Sequence, residues 1–450
     1  MKLQMENGIT LFEGKFNADA IFRQKICEEK EVGQDEALYL CNLSDVARKY
    51  DIWRQKMPRV KPFYAVKCNM DENVIRMMAK LGMGFDCSSI EEFKVVLKCG
   101  VTPDRIIYAH PYKAVSHLRY SAANNIDVMT FDSMEELEKI RLVFPRAKLV
   151  LRIRCDAEKA YAPIGDKFGC DPELESRQLL TKAKNLGLSV IEISFHVGSG
   201  CEDPPSFRKA IAAARNLFDY AATLGYRMTL LDIGGGFPGE TGSDIGVIAD
   251  VVNTALEDHF PPGHDNVKII AEPGRFFVSS AFTLGATIHS KKQLLDTDGN
   301  VYHVKYIIND GVHGTFNFLL YGIPLGSCYA LHRKAFDKKV IKDSLVQSSL
   351  LGPTCNGFDK MSENMVLPHL DIGDIIVFPN MGAYTVSLSS TFNGFPKPRI
   401  MYYQELRDSI DPDPVINISE KKTLKCPNGN LFQRFKRSFQ KDDRPAFYVY

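Results

Sequence analysis

Between Phe63 and Glu272 short β-branched and apolar runs alternate with stretches of helical spacing, and this rhythm restricts the fold more than any other feature. The runs are Phe63–Lys67, Phe85–Ser89, Ile106–His110, Val128–Asp132, Leu149–Arg154, Ile191–Val197, Leu230–Gly234 and Val267–Glu272. Glu72–Leu81, Ile90–Cys99 and Met134–Val143 between them carry the spacing of amphipathic helices. Strands alternating with helices argue a parallel sheet. Eight such units over roughly 250 residues argue a closed (β/α)8 TIM barrel over an open sheet. Polar residues gather at one end of the runs: Lys67, Asp86, His110, Asp132, Arg152, Arg154, His196, Asp232 and Glu272. In such a barrel the strand C-termini form the active face.

At 450 residues the chain is long for one domain. Past Arg275 the rhythm changes, and Phe276–Ile288, Val301–Ile308, Asp374–Phe378, Ala383–Leu388 and Arg399–Tyr403 read as strands with few helical intervals. The expected α/β architecture is a barrel at 45–280 and a mostly β domain at 281–410. An N-terminal segment, 1–44, completes the second domain; it includes a strand at Ala37–Cys41, and Ser44 and Asp45 are candidate caps for the helix that follows. The remainder, 411–450, reads as a basic, poorly ordered tail with eight Lys and Arg residues from Lys421 onward.

Composition excludes several classes. A net charge of +1 gives no general attraction to nucleic acid or membrane. No run of 18 apolar residues and no signal-peptide core occurs. Eleven scattered cysteines, with no Cys-x-x-Cys pair, argue free thiols in a reducing compartment, hence a cytoplasmic protein. There is no His-Glu-x-x-His, no Cys/His cluster and no Gly-x-Ser-x-Gly elbow.

Lys67 ends the run Pro62-Phe63-Tyr64-Ala65-Val66. A lysine there either snorkels to solvent or, when desolvated, serves as a nucleophilic Schiff-base amine. Gly234-Gly235-Gly236-Phe237-Pro238-Gly239 formally satisfies G-x-G-x-x-G, but Pro238 stands where a dinucleotide-binding helix should open. A glycine loop that brings backbone N–H groups to one phosphate fits better. In Ala271-Glu272-Pro273-Gly274-Arg275 the carboxylate can face a cationic ring nitrogen and the arginine a phosphate, or the two can form an ordinary ion pair. His196, in Phe195-His196-Val197-Gly198-Ser199-Gly200, reads as a core histidine or as a planar surface for a ring. A strand-end lysine, two glycine cradles and a strand-end glutamate together fit pyridoxal 5'-phosphate.

Phe63–Asn69, Phe195–Ser199, Asp232–Phe237, Ala271–Arg275 and Gly352-Pro353-Thr354-Cys355, in this order, resemble the eukaryotic ornithine decarboxylase family over about residues 35–405. The resemblance implies an alanine-racemase-like barrel with a β domain, in a homodimer with shared active sites. It implies that Lys67 binds the cofactor covalently, His196 stacks on its ring and Glu272 meets the ring nitrogen. Ser199, Gly235, Gly236, Arg275 and Tyr384 would hold the phosphate, with Asp86, Arg152 and Gly274 also in the cofactor site. Cys355 would act at the α-carbon from the other subunit, and Phe392 would meet the substrate.

Two positions depart from the family pattern. Where ornithine decarboxylases carry aspartates that receive the distal ammonium, this chain has Gly322 and Asn356. Ile323, Pro324 and Leu325 beside them suggest an apolar substrate, as in the leucine-acting vertebrate paralogue. The alternatives are an ornithine or lysine decarboxylase whose salt bridge has shifted to Asp359, and a non-catalytic regulator like the antizyme inhibitors. Residues 113–136 resemble the family's antizyme-binding region, although His117 and the basic pattern also suit an ordinary helix face.

Overall fold

The structure, a computed structural model, describes residues 3–28, 36–155, 157, 160–162, 165–263, 266–332 and 345–406. Eight parallel strands close into a barrel: β1 (Val60–Ala65), β2 (Gly84–Cys87), β3 (Ile106–Tyr108), β4 (Val128–Phe131), β5 (Lys148–Arg152), β6 (Ser189–Ser194), β7 (Leu230–Asp232) and β8 (Lys268–Ala271). Each pairs with the next, and β8 returns to β1 through Ile269 opposite Val60. The strands stop one to three residues before the apolar runs do. At the rim the backbone leaves the hydrogen-bonded ladder: Asp86, Arg152 and Asp232 are among the last residues of their strands, whereas Lys67, His110, Asp132, Arg154, His196 and Glu272 lie just beyond them. Lys67, for example, lies in the 3-10 turn Val66–Cys68.

The helices form where the spacing places them, and short polar side chains start them. Asp71 accepts from the N–H groups of Asn73 and Val74 at the head of Glu72–Lys80, and Ser89 and Ser133 cap Ile90–Lys98 and Met134–Val143. Such caps satisfy N–H groups that have no partner within the helix, each contributing about 1 kcal/mol. The helix after Leu38–Asn42 is capped by Asn42 rather than by Ser44 or Asp45. Trp53 of that helix, Leu43–Lys56, is fully buried among the rings of Phe237, Phe276 and Phe277. Its indole N–H donates to the Val60 carbonyl at 2.8 Å. One aromatic cluster thereby ties together the glycine loop after β7, the segment after β8 and the entry to β1.

A second, ten-stranded sheet contains Leu3–Glu6, Ile9–Phe12 and Leu38–Asn42 together with the C-terminal strands. The long strand Phe282–Leu295 is its centre, pairing with Leu38–Asn42, Val301–Ile308 and Ile375–Phe378. Phe276–Ile288 is not one strand: Arg275–Val278 is a helical turn, and the strand begins at Phe282. Ala383–Leu388 is not a strand either. Tyr384 has φ of +56° and Val386–Leu388 form a 3-10 turn, conformations that no β ladder accommodates. Leu345–Leu351 and Lys360–Pro368 are strands that the apolar pattern does not mark, because Gln347, Ser348, Ser349, Ser362, Glu363 and Asn364 interrupt it. The basic tail lies outside the described residues. Among the described residues no helix is long and apolar enough to cross a membrane.

Candidate active site

One cleft at the C-terminal end of the barrel is lined by Lys67, His196, Ser199, Gly235, Gly236, Glu272, Gly274, Arg275 and Tyr384. Lys67 reaches into it with 39 % of its side chain exposed and forms an ion pair with Asp86, which is fully buried on β2. The pairing follows from register, since Ala65 lies opposite Asp86 and Lys67 projects just past the end of β1. Burial disfavours the ammonium, but Asp86 and then Glu272 outweigh it and hold the Lys67 amine above the ordinary lysine range. Of the two readings of this strand-end lysine, an amine reaching toward solvent or a desolvated one, the side chain is a partly exposed cation paired with Asp86.

His196 lies just past β6. The Gly198 N–H donates to its Nδ1 at 3.0 Å, which places the remaining ring proton on Nε2. Burial, then the charges of Arg152 and Lys67, push its pKa well below the usual imidazole value, so the ring is neutral. Beside it a Cβ on Gly235 would stand 2.7 Å from His196 Nε2 and 2.9 Å from the Glu272 carbonyl. Only glycine permits the loop and the imidazole to approach so closely. The Glu272 N–H donates to the Gly234 carbonyl at 2.7 Å, which fixes the exit of β8 against the same loop.

Arg275 opens the helical turn after Gly274 and contacts Glu240 at 3.4 Å. Its guanidinium lies over the Tyr384 ring, 5.4 Å from the centroid. Tyr384 holds a left-handed backbone, costly for an aromatic residue, and donates its N–H to the Cys68 carbonyl at 3.0 Å. That bond connects the Lys67 turn to the far side of the cleft. Lysine amine, neutral imidazole, buried carboxyl and a glycine loop with arginine and serine beside it are complementary to pyridoxal phosphate. Arg152 is not among the cleft's lining; its guanidinium lies over Phe168, 5.1 Å from the centroid.

Cys355, Asn356, Phe392 and Gly322 do not line this cleft. Cys355 is exposed, and its backbone N–H donates to Asn393 Oδ1 at 2.9 Å. Asn356 donates from Nδ2 to His313 Nε2 at 2.8 Å, while its Oδ1 accepts from the Phe358 N–H at 3.0 Å. The ring of Phe392 packs on His313 with centroids 4.6 Å apart. His313 and Asn393 thus organise the Cys355 loop, yet an isolated histidine and asparagine carry no motif that would single them out. Gly322 ends the 3-10 turn Asn317–Tyr321 with φ of +77°. Asp359 is buried, and its carboxylate accepts from the Val312 N–H, the Thr354 N–H and the Thr354 hydroxyl at 2.9, 3.0 and 2.6 Å. It serves as a structural acceptor for two loops.

In 113–136 the leading cation is internal as well. Lys113 is buried, paired with Glu136 at 2.8 Å, and donates to the Thr130 carbonyl at 2.5 Å. Burial, opposed by Glu136, pushes its amine down to about 8.

Residues 43–279 match the family model "Pyridoxal-dependent decarboxylase, pyridoxal binding domain". The chain is 45 % identical over 399 residues to ornithine decarboxylase of Rattus norvegicus, covering 86 % of this chain and 85 % of that one. It is 44 % identical over 406 residues to antizyme inhibitor 2 of Xenopus laevis, covering 88 % and 87 % respectively. Among solved structures, the arginine decarboxylase of Paramecium bursaria Chlorella virus superposes with a TM-score of 0.79 at 37 % identity, over 86 % of this chain and all (100 %) of that one. With a pyridoxal-binding barrel, a matching cleft and relatives of this similarity, the chain belongs to the eukaryotic ornithine decarboxylase family of pyridoxal-phosphate-dependent carboxy-lyases.

Proposed function

We propose that this protein decarboxylates an L-amino acid with an apolar side chain, leucine foremost, to the amine and carbon dioxide. The observation that carries this reading is the state of the acids near the Cys355 loop. Gly322 and Asn356 bring no charge, the Asn356 amide is engaged at both ends, and Asp359 is committed to Val312 and Thr354. A distal ammonium left without a counter-charge in a buried site costs on the order of 2–5 kcal/mol. Each buried CH₂ of a branched apolar side chain instead contributes ~0.8 kcal/mol.

Bound pyridoxal phosphate supplies the electron sink for the pair left on the α-carbon when carbon dioxide departs. The chain's own residues do the rest. Lys67 anchors the cofactor, and Asp86 governs the charge of its amine. Neutral His196 gives the ring a flat surface without adding charge. Glu272 presents its carboxyl to the ring nitrogen, while Ser199, the Gly235 and Gly236 backbone, Arg275 and Tyr384 hold the phosphate. Cys355, on a loop away from its own chain's cleft, protonates the α-carbon in the site of a second copy. The exposed Phe358 and Tyr321, 82 % and 67 % accessible, flank the Cys355 and Gly322 segments and supply apolar surface for such a homodimer. Nine free cysteines among the described residues are in keeping with a cytoplasmic location.

The test compares kcat/KM for leucine and ornithine, and then repeats the comparison in Gly322→Asp/Asn356→Asp. A Cβ at Gly322 meets nothing within 4 Å, so space is available, although the left-handed backbone costs an L-residue about 1–2 kcal/mol. We expect leucine to be preferred by the unmodified protein and the doubly substituted one to move toward ornithine by tenfold or more, roughly what 1.4 kcal/mol of regained charge pairing gives. A preference for ornithine in the unmodified protein overturns the assignment.

The similarity to antizyme inhibitor 2 favours a second reading, a non-catalytic regulator. With Lys113 buried, the surface that 113–136 offers to an antizyme includes Val115, Ser116 and Arg119. Absence of carbon dioxide release from every amino acid in a panel, by protein that shows the visible absorbance of bound cofactor, decides for the regulator.

A further inference from the structure

Inside the barrel, one strand layer below the cleft, stands a carboxyl group to which the decarboxylation reading gives no part. Glu192 of β6 lies opposite Val150 of β5 and Leu230 of β7, and both belong with Ile107 and Ile270 to the apolar cluster that fills the lumen. Partners in parallel register point to the same face, so Glu192 shares the lumen with them. It has no exposure to solvent, and among the described residues no donor reaches either of its carboxyl oxygens. Two residues on, Ser194 lies opposite Arg152 and Asp232, and its hydroxyl is likewise buried and without a partner. Asp232 accepts from the Gly234 N–H at 2.8 Å through Oδ1, while no N–H or O–H group of the described residues reaches Oδ2. Unpartnered polar atoms on β6 and β7 thus converge on one spot behind Glu272.

We propose that Glu192 is a positioning residue that carries a proton in the barrel lumen and, with Ser194, stabilises the single negative charge that Asp232 and Glu272 hold between them behind the cofactor site. An ionised glutamate in an apolar layer without a counter-ion is far too costly, so the carboxyl is neutral and has an O–H to donate. Asp232 lies one layer above on the neighbouring strand, and its free oxygen accepts that O–H, directly or through a buried water that Ser194 also binds. Asp232 and Glu272 are neighbours whose charges act on one another, and two buried carboxyl groups so placed hold one proton between them. The donor from Glu192 stabilises the anion of this pair, which retains one proton and one negative charge. The other charges around it are Asp86, Lys67 and Arg152, which act on Glu272. Burial first, then Glu272, raises the Glu192 carboxyl well above its ordinary range, in the direction this arrangement requires.

The role of Glu272 toward the ring rests on the function proposed above; the proton on Glu192 does not, so the two are tested separately. In cofactor-free protein at neutral pH the infrared spectrum should contain the carbonyl absorption of water-excluded carboxylic acids, and Glu192→Gln should remove the part that Glu192 contributes while leaving that of the Asp232 and Glu272 pair. A raised carboxyl pKa means that the folded state keeps a proton the unfolded state has lost above about pH 4.3, so stability falls as pH rises. The unfolding constant of the wild type relative to Glu192→Gln should therefore climb about tenfold per pH unit from pH 5 to 7. A flat ratio with an unchanged infrared spectrum shows an ionised Glu192 and overturns the proposal. For the positioning role, the reconstituted protein's visible absorbance is titrated with acid. Glu192→Gln, which keeps a donor, should leave the transition in place, whereas Glu192→Leu should move it upward by about one pH unit, the scale of one lost hydrogen bond to a carboxylate. Coincident titrations for Gln and Leu assign Glu192 to packing alone.

Discussion

In the proposed function Lys67 and Asp86 set the terms for cofactor capture, because an amine attacks an aldehyde only when it is neutral. Asp86 is buried and keeps the proton on Lys67, so its charge slows capture near neutral pH while it holds the amine at the mouth of the cleft. Asp86→Asn removes the largest influence that raises the Lys67 pKa. A nearby opposite charge shifts a pKa by about 1–3 units. The midpoint of the capture rate against pH, followed by the growth of visible absorbance when pyridoxal phosphate is added to cofactor-free protein, should fall by about that amount. An unmoved midpoint would mean that Asp86 acts on the geometry of Lys67 and not on its charge.

Among the elements, the loop that carries Lys113 and the helix Met134–Val143 behave as one unit. Glu136 of that helix joins Lys113, which is wholly enclosed, and Lys139, which is partly exposed, at 2.8 and 2.5 Å. Lys113 also donates to the carbonyls of His110, Pro111 and Thr130, so it gathers the exits of β3 and β4 around one ammonium. Removing one member of a buried ion pair costs about 3–5 kcal/mol, and Lys139 retains part of the pairing. Lys113→Ala should therefore lower stability by about 3 kcal/mol, measured by denaturant unfolding. Arg119→Ala, on the exposed face of the neighbouring helix Val115–Ala123, should change it by less than about 0.5 kcal/mol. Equal small effects would place Lys113 outside the framework. The contrast matters for any partner of this segment, since a loss of binding in Lys113→Ala would report unfolding, whereas a loss in Arg119→Ala would report contact.

For the whole molecule the notable separation is between the cleft and Cys355. The side chains that line the cleft converge from the ends of β1, β6, β7 and β8, while Cys355 projects from an exposed loop held by Asn393. If a twofold dimer brings each Cys355 to the other chain's cleft, a chain lacking Lys67 and a chain lacking Cys355 complement one another. Random pairing of Lys67→Ala with Cys355→Ala chains gives half mixed dimers, each with one complete site, so about a quarter of wild-type activity should return. No recovery, in a mixture shown by mass to contain mixed dimers, would place Cys355 in the site of its own chain.

The sequence by itself determined the barrel and most of its chemistry, because both depend on local order. The strand–helix rhythm allows little but a parallel closed sheet, and Lys67, His196, the glycine loop, Glu272 and Arg275 follow their strands within a few residues. Closing the barrel brings those turns together whatever the detailed packing. What depends on contacts distant in the chain could be decided only by the tertiary structure. Asp359 looked available as a counter-charge until the fold surrounded it with Val312 and Thr354. Lys113 heads a segment that resembles a partner-binding region, and only the fold shows it enclosed by Glu136 and three carbonyls. The strands Leu345–Leu351 and Lys360–Pro368 carry too many polar residues for an alternation signal, and only pairing stabilises them. Glu192 carries no motif at all. Its meaning lies in the register of three strands, which sets an acid among apolar neighbours and aims it at Asp232, a relation that no one-dimensional spacing encodes.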